Sequence, residues 1–248
     1  MFDAVNLPVN EITTEILRNY LADYKNNSNA GMVTIDNMRR TLSSFFAWLE
    51  NEDYIVKSPV RRIHKVKTTR RVKETLTDGN LEKLRDTCSN VRDLAILELL
   101  ISTGMRVGEI TRLNISDMNF QERSCIVLDK GNSEREVYFS AKSKMYIEKY
   151  LETRTDDNEA LFVSLIKPYN RLGISGIEIA IRNLGKKANI NKVHPYKFRI
   201  TMATMAIDKG MPIEQVHKLL GHIKIDTTME YAMVNQNNVK NSHRKYIT

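Results

Sequence analysis

The chain has 248 residues, of which 42% are hydrophobic, so it can bury a sizeable core, and wholesale disorder is excluded. No apolar run approaches the ~18 residues of a membrane span, the first residues do not resemble a secretory signal, and Cys88 and Cys125 are too few for a disulfide framework. The 38 basic and 30 acidic side chains leave a net charge of +8, so we expect a cytoplasmic protein with a polyanionic partner, most simply nucleic acid, and no membrane attachment.

The first elements in chain order are predicted to be helices. Apolar residues at three- and four-residue spacing predict one helix over residues 11–24 and a second over residues 34–52, with Thr34 as the N-cap of the second. Both resemble ordinary helices with one face buried in a core. Nothing in these two segments suggests a cofactor site.

A strongly basic stretch follows. Residues 57–73 carry eight basic and no acidic side chains, and they show no sustained apolar period. We expect an extended linker, and its place between two periodic regions favours contact with a phosphate backbone over a merely solvated surface. The candidate DNA-backbone contacts are Arg61, Arg62, Lys65, Lys67, Arg70 and Arg71.

The rest of the chain is predicted to be mostly helical with one small β-sheet. Residues 124–129 and 135–139 alternate or run apolar around a polar turn, which predicts a β-hairpin, and a further strand is expected near residues 117–120. Glycines at helix ends predict four stops, and two Ser/Thr-x-x-Glu patterns predict two helix starts. The stops are Gly104, Gly185, Gly210 and Gly221, and the starts are Ser175 with Glu178 and Thr227 with Glu230.

Five short motifs occur in a fixed order: STGMRVGEI, LDKGNSEREV, HPYKFRIT, LLGH, and a tyrosine nine residues after that last histidine. Together they resemble the tyrosine site-specific recombinases of the phage integrase family, and the resemblance covers almost the whole chain. It implies a mainly α fold. A small helical core-binding domain (1–66) and a basic linker (67–74) would precede a mostly helical catalytic domain with a small antiparallel sheet and a C-terminal tail (75–248).

The resemblance also implies the roles of five residues. Arg106 and Arg199 would clamp the scissile phosphate, Lys130 would protonate the leaving 5′-oxygen, His222 would donate a hydrogen bond to the phosphate, and Tyr231 would be the nucleophile. Arginine suits this task because its planar guanidinium stays ionised and donates paired hydrogen bonds to phosphate oxygens. Attack would leave a 3′-phosphotyrosyl bond that conserves the phosphodiester energy, so no cofactor, metal or ATP is expected.

Two further positions are assigned with the same family in view. The family's second block usually reads His-x-x-Arg, whereas this chain has Tyr196; a tyrosine donates a hydrogen bond to phosphate but is a poor base near neutral pH. We expect Tyr196 to line the site with cleavage retained, and His194 to project elsewhere. Glu109 matches a position that buttresses the site and should share a helical face with Arg106. Arg106 itself should sit at a turn, with a side chain that reaches freely into a groove.

The implied substrate is a double-stranded DNA recombination site. By the same resemblance the enzyme would act on DNA as a homotetramer, possible accessory DNA-bending or directionality proteins would assist it, and the bound protein would be associated with the nucleoid. Two other interpretations stay open. A DNA-binding relic or regulator would occupy sites without cutting, which Tyr196 alone favours, and a type IB topoisomerase-like enzyme would nick and religate one strand with the same chemistry.

Overall fold

A computed structural model of the chain describes residues 6–66, 74–128, 134–221 and 224–232. The chain divides into two compact units, Met1–Arg71 and Val72–Thr248. Within the described residues, no helix has both the length and the apolar character that crossing a membrane requires.

The first unit is built on two helices, α1 (Thr14–Ser28) and α2 (Met32–Asn51). Thr13 caps α1, since its hydroxyl accepts a hydrogen bond from the Ile16 amide at 3.3 Å. The apolar faces of both helices meet in one core around the fully buried Leu17 and Phe46. Both helices are therefore confirmed, and each begins or ends within a few residues of the predicted bounds.

The beginning of the basic stretch is not an extended linker. Residues Pro59–Arg62 form a 3₁₀ turn, and Val60 within it is only 2% exposed and belongs to the core of the first unit. Burial of the apolar Val60 packs this turn against the two helices. The sequence analysis did not predict this packing because the surrounding residues are strongly basic. Of the predicted linker contacts, Arg61, Arg62 and Lys65 thus belong to the folded first unit, while Lys67, Arg70 and Arg71 lie outside the described residues.

The second unit contains the remaining helices and the sheet. Helix α4 lies at its centre and packs against three others, α6, α7 and α8. The core of the unit includes the fully buried Leu97, Leu100 and Phe198. The helices are α3 (Asp78–Thr87), α4 (Val91–Thr103), α5 (Val107–Ile110), α6 (Ala141–Glu152), α7 (Ile174–Lys187), α8 (Pro195–Asp208), α9 (Ile213–Leu220) and α10 (Ile225–Ala232).

The sheet has three antiparallel strands in the order β1 (Met118–Asn119), β2 (Ser124–Leu128) and β3 (Glu134–Tyr138). Strand β2 pairs with β3 from Ser124 opposite Tyr138 to Leu128 opposite Glu134. The predicted hairpin and the strand before it are confirmed, and so is the mainly helical fold with a small antiparallel sheet. The residues between β2 and β3, Lys130 among them, lie outside the described part of the chain.

Three of the four predicted glycine stops follow the ends of α4, α8 and α9, whereas Gly185 lies inside α7, two residues before its end. The hydroxyl patterns misplaced three helix starts. Gly104 and Gly221 both adopt the left-handed conformation, each with φ of +60°, directly after α4 and α9. Thr34, Ser175 and Thr227 instead lie inside α2, α7 and α10. In α2 and α7 a glycine in extended conformation, Gly31 or Gly173, occupies the N-cap and lets the helix begin earlier. A Ser/Thr-x-x-Glu pattern therefore does not identify a start when the residues before it also accept helical geometry.

Candidate active site

A cavity of about 480 Å³ opens in the second unit beside the turn that follows α4. Residues from four segments line it, so its shape depends on the tertiary packing of the unit. Cations dominate the charged lining, with one carboxylate among them. The polar side chains that line it are Arg106, Arg199, Arg182, Glu178, His194, Tyr196 and Thr227.

Arg199 lies in the first half of α8 and is only 3% exposed. Its Nη1 donates a hydrogen bond to the carbonyl of Gly104 at 2.8 Å, and its Nη2 donates to the carbonyl of Leu220 at 2.5 Å. A buried guanidinium is costly unless it is hydrogen-bonded, so these contacts stabilise it at the cavity wall. They also fix the plane of the group, which a bidentate anion contact requires.

Arg106 precedes α5 and is held by a buried carboxylate. Its backbone N–H donates to Glu109 Oε2 and its Nη1 donates to Glu109 Oε1, both at 2.8 Å, while its Nη2 donates to the carbonyl of Gly221 at 2.8 Å. The expectation that this side chain reaches freely into a groove was wrong. The predicted proximity of Arg106 and Glu109 is correct, but the carboxylate is 6% exposed and lies in the interior rather than on a solvated face.

The Glu109 carboxylate is ionised in this environment. Burial alone raises its pKa, but hydrogen bonds from the Arg135 guanidinium and from the Arg106 amide outweigh burial and hold the pKa below its ordinary value. Arg135 donates to Glu109 twice, from Nη1 to Oε1 at 3.0 Å and from Nη2 to Oε2 at 2.8 Å. One buried carboxylate therefore joins two arginines.

The sequence prediction missed Arg135. The signal was available, since side chains alternate along a strand and Arg135 shares its sheet face with the fully buried Val137. A charged side chain at such a position needs a partner, because unpaired buried charge is destabilising. Its partner, Glu109, comes from a distant segment, and spacing along the chain gives no indication of that pairing.

Tyr196 and His194 line the same cavity as the two arginines. Tyr196 is 45% exposed, and its ring lies nearly parallel to that of His194, with 7° between planes and 6.3 Å between centroids. The expectation that His194 projects in another direction was wrong, because the extended backbone at this N-cap turns its ring back alongside the first turn of α8. Partial burial lowers the pKa of His194, the Lys197 charge lowers it further, and Glu178 opposes both.

The last described helix, α10, packs against α8 and α9. Thr228 is fully buried, and its hydroxyl lies 3.2 Å from Nδ1 of His217 on α9. Thr227 reaches the cavity wall. Tyr231 lies in α10, but its side chain is outside the described part of the structure, as are all of Lys130 and His222.

The arrangement can bind an oxyanion such as a phosphate. Two fixed guanidinium groups approach one cavity from different segments, and such groups recognise phosphate oxygens through paired, charge-assisted hydrogen bonds. A tyrosine hydroxyl and a histidine whose pKa is lowered stand at the same wall, so hydrogen-bond donation and proton exchange are both available there.

Comparison with known proteins gives one consistent result. The sequence profile described as the phage integrase family matches residues 74–238. The chain is 32% identical over 217 residues to the tyrosine recombinase XerC of Oceanobacillus iheyensis, a match that covers 83% of this chain and 71% of the relative. The crystal structure of XerA recombinase matches with 26% identity and a TM-score of 0.63, covering 99% of this chain and 87% of that one.

A second solved structure has a similar fold at lower identity. The Tn1549 transposon integrase in complex with transposon right end DNA matches with a TM-score of 0.79 and 18% identity, covering 98% of this chain and 88% of that one. At this identity the likeness concerns the fold alone. It nevertheless extends over nearly the whole chain.

Proposed function

The chain belongs to the phage integrase family and is a tyrosine recombinase that breaks and rejoins DNA strands at specific sites, and we propose that the cavity beside Arg106 and Arg199 holds the scissile phosphate. The observation that carries this proposal is the pair of guanidinium groups, fixed by main-chain carbonyls, at the wall of one cavity. Because these groups need no rearrangement as the reaction proceeds, they stabilise the negative charge that develops on the non-bridging oxygens.

The proposed nucleophile is Tyr231. A phenol with an ordinary pKa of about 10 attacks poorly at neutral pH unless nearby cations stabilise the phenolate, and the two arginines supply that positive charge. Thr227 lines the cavity, and Tyr231 follows it by four residues in α10, a spacing at which residues are neighbours on a helix surface. The docking of α10 on α8 and α9 supports attack within one protomer.

The proposed reaction is a balanced transesterification. Tyr231 Oη forms a bond to the phosphorus while the bond to the 5′-oxygen breaks, giving a 3′-phosphotyrosyl link and a 5′-hydroxyl. The phenol loses one proton and the 5′-oxygen gains one, and we assign its delivery to Lys130. His222 is proposed to donate a hydrogen bond to the phosphate. The reverse attack by a 5′-hydroxyl of another strand restores the phosphodiester and releases the tyrosine, without a cofactor.

We propose that Tyr196 donates a hydrogen bond to the phosphate, at the position where the family usually has a histidine. Its position at the cavity wall with Arg199 supports this role, because a phenolic hydroxyl can donate to an anionic oxygen without changing its own ionisation. Glu109 is proposed to orient Arg106 rather than to touch the substrate.

Double-stranded DNA carrying a recombination site is the proposed substrate, with the first unit acting as the core-binding domain and the second as the catalytic domain. The transposon integrase with the similar fold was solved with DNA, which supports this partner. A homotetramer that cuts one pair of strands at a time, and accessory DNA-bending or directionality proteins, are proposals from the family resemblance. A cytoplasmic location, expected from the sequence composition, and association with the nucleoid, expected from the family resemblance, stay predictions.

A nicked duplex tests the proposed function. The site is first selected from a random-sequence library by binding to the full chain, and a nick next to the cleavage point then lets the short 5′-hydroxyl strand diffuse away, so the covalent intermediate accumulates. We expect a protein–DNA adduct that survives denaturation with the natural chain and is lost in Tyr231→Phe. Binding without an adduct would indicate a regulator that does not cut. Relaxation of supercoiled DNA with no exchange between two sites would indicate a topoisomerase-like enzyme.

A further inference from the structure

Arg135 carries a charged group on the buried face of β3. Its side chain is 11% exposed, and its guanidinium is paired with both carboxylate oxygens of Glu109 at 2.8–3.0 Å. Its Nε donates a third hydrogen bond, at 3.1 Å, to the main-chain carbonyl of Leu219. One side chain of the sheet thus contacts both α5, through Glu109, and the end of α9.

The carbonyl of Leu219 is the first of three consecutive carbonyls that accept hydrogen bonds from arginines. Those of Leu219, Leu220 and Gly221 accept from Arg135, Arg199 and Arg106 at 3.1, 2.5 and 2.8 Å. The last carbonyls of a helix lack intrahelical partners and concentrate partial negative charge, so guanidinium groups are well suited to this place. Arginines from three separate segments thereby fix the end of α9.

Arg135 also determines the local charge. Glu109 Oε1 is shared between Arg106 Nη1 at 2.8 Å and Arg135 Nη1 at 3.0 Å. With Arg135 present, the two arginines and the one carboxylate carry a net positive charge. Without Arg135, the Glu109 charge would be balanced by Arg106 alone, and the cation proposed to meet the phosphate would be neutralised within the protein.

We propose that Arg135 is a positioning residue for strand cleavage, which holds Glu109 and the end of α9 so that the Arg106 guanidinium is oriented and electrostatically available for the scissile phosphate. This inference rests on the function proposed above. It makes Arg135 necessary for catalysis although it does not line the cavity wall. The competing interpretation is that Arg135 only stabilises the fold, as many buried arginines do.

A change in the substrate separates the two roles. Replacing one non-bridging oxygen of the scissile phosphate by a methyl group gives a neutral methylphosphonate, whose cleavage depends much less on a cation at that oxygen. A defect that arises from a misdirected or neutralised Arg106 therefore shrinks on this substrate. A defect that arises from a loosened fold does not.

The experiment compares single-turnover adduct formation by the full chain on the nicked duplex with an ordinary phosphate and with a methylphosphonate at the mapped cleavage point. The variants are Arg135→Gln and Arg135→Lys. The matched control is Arg92→Gln, because Arg92 is a buried arginine of the same unit that pairs with Asp93 at 2.6 Å and donates to the carbonyl of Val163 at 3.1 Å. It lies at the other end of α4 from Gly104, roughly 18 Å along the helix axis.

We expect Arg135→Gln to slow cleavage of the ordinary phosphate about 100-fold and cleavage of the methylphosphonate less than about fivefold. Arg135→Lys, which keeps the charge but not the paired geometry, should fall between Arg135→Gln and the natural chain. Arg92→Gln should lower the melting temperature without changing either rate in the folded fraction. Equal slowing of both substrates by Arg135→Gln, or no slowing of either, would overturn the inference. Failure of the natural chain to form any adduct would instead contradict the proposed function.

Discussion

The Arg199 guanidinium donates a hydrogen bond to the carbonyl of Gly104 at 2.8 Å, and this contact ties α8 to the turn before Arg106. Gly104 has φ of +60°, and the Arg199 Cα lies 3.7 Å from the place where a Cβ at Gly104 would stand. The same place is only 2.3 Å from Cε of Met202. Arg106 and Arg199 therefore both depend on a position that only glycine occupies without strain.

The first prediction concerns Gly104→Ala. The left-handed backbone costs an alanine about 1–2 kcal/mol, and the contact with Met202 adds little because Cε is the end of a flexible side chain that can move, so urea unfolding should show a loss of about 1–2 kcal/mol. Adding Met202→Ala to this variant should remove the clash but not the backbone strain. Gly79→Ala is the control, since nothing lies within 4 Å of its added Cβ and α3 should gain helix propensity. Equal stability of Gly104→Ala and Gly79→Ala would refute the argument.

The second prediction concerns Glu109→Gln and its dependence on pH. Because the pKa of Glu109 is lowered in the folded state, its ionic contacts stabilise the fold above the ordinary value of 4.5, and this contribution is lost as the pH falls through the lowered folded-state pKa. At pH 7 the variant leaves the partly buried Arg106 and Arg135 without their carboxylate, so we expect it to unfold about 3 kcal/mol more easily.

That difference in the free energy of unfolding should shrink as the pH is lowered from about 5 towards 2, because the natural carboxylate is then protonated as well. Denaturant titrations at several pH values measure it. Glu152→Gln, on an exposed position of α6, serves as the control and should differ little from the natural chain at every pH. A difference for Glu109→Gln that grows at low pH would show that the assigned sign is wrong.

Several features of the fold follow from local rules in the sequence. The apolar spacing in α1 and α2, the alternation in β2 and β3, and the glycines after α4 and α9 each reflect a constraint that acts within a few residues. These features were predicted correctly, and Arg106, Arg199 and Tyr196, which the family resemblance assigned to one site, line one cavity. Local constraints do not report how distant segments meet.

The features that were missed are contacts between distant segments. Arg135 and Glu109 are 26 residues apart, and Arg135 and Leu219 are 84 apart, so no spacing rule reveals their hydrogen bonds. The 3₁₀ turn around Val60 was missed because one buried apolar side chain outweighs the charge around it. His194 was assigned the wrong direction because its extended backbone, rather than helical periodicity, sets the orientation of its ring.

The third prediction concerns Tyr196. If its hydroxyl donates to the phosphate, Tyr196→Phe should slow adduct formation about tenfold, since one hydrogen bond to a charged group contributes roughly 1.5 kcal/mol. Tyr196→His should cleave at least as fast as the natural chain, because imidazole can both donate a hydrogen bond and accept a proton near neutral pH. Single-turnover assays on the nicked duplex measure both rates. A phenylalanine variant as fast as the natural chain would show that the hydroxyl has no part in cleavage.

The fourth prediction concerns the basic stretch. Replacing Arg70 and Arg71 by glutamine should weaken binding to every DNA sequence and reduce the slope of log affinity against log salt by about 0.9 for each phosphate that the variant no longer neutralises. Replacing Arg61 and Arg62 by glutamine should have a smaller effect, because Arg61 already forms an ion pair with Glu50 at 3.3 Å. Titrations on specific and unrelated duplexes over a range of salt concentrations test both pairs. A change confined to the specific site would indicate base recognition instead.

The central claim is that Tyr231 forms the covalent bond to DNA, and peptide mapping of the trapped adduct tests it most directly. The adduct is digested with protease and nuclease, and mass spectrometry then identifies which of the 10 tyrosines carries the nucleotide. The account predicts a nucleotide joined to Tyr231 through its 3′-phosphate and a free 5′-hydroxyl on the released strand. A nucleotide on any other tyrosine, or a 5′-phosphate on the released strand, would contradict it.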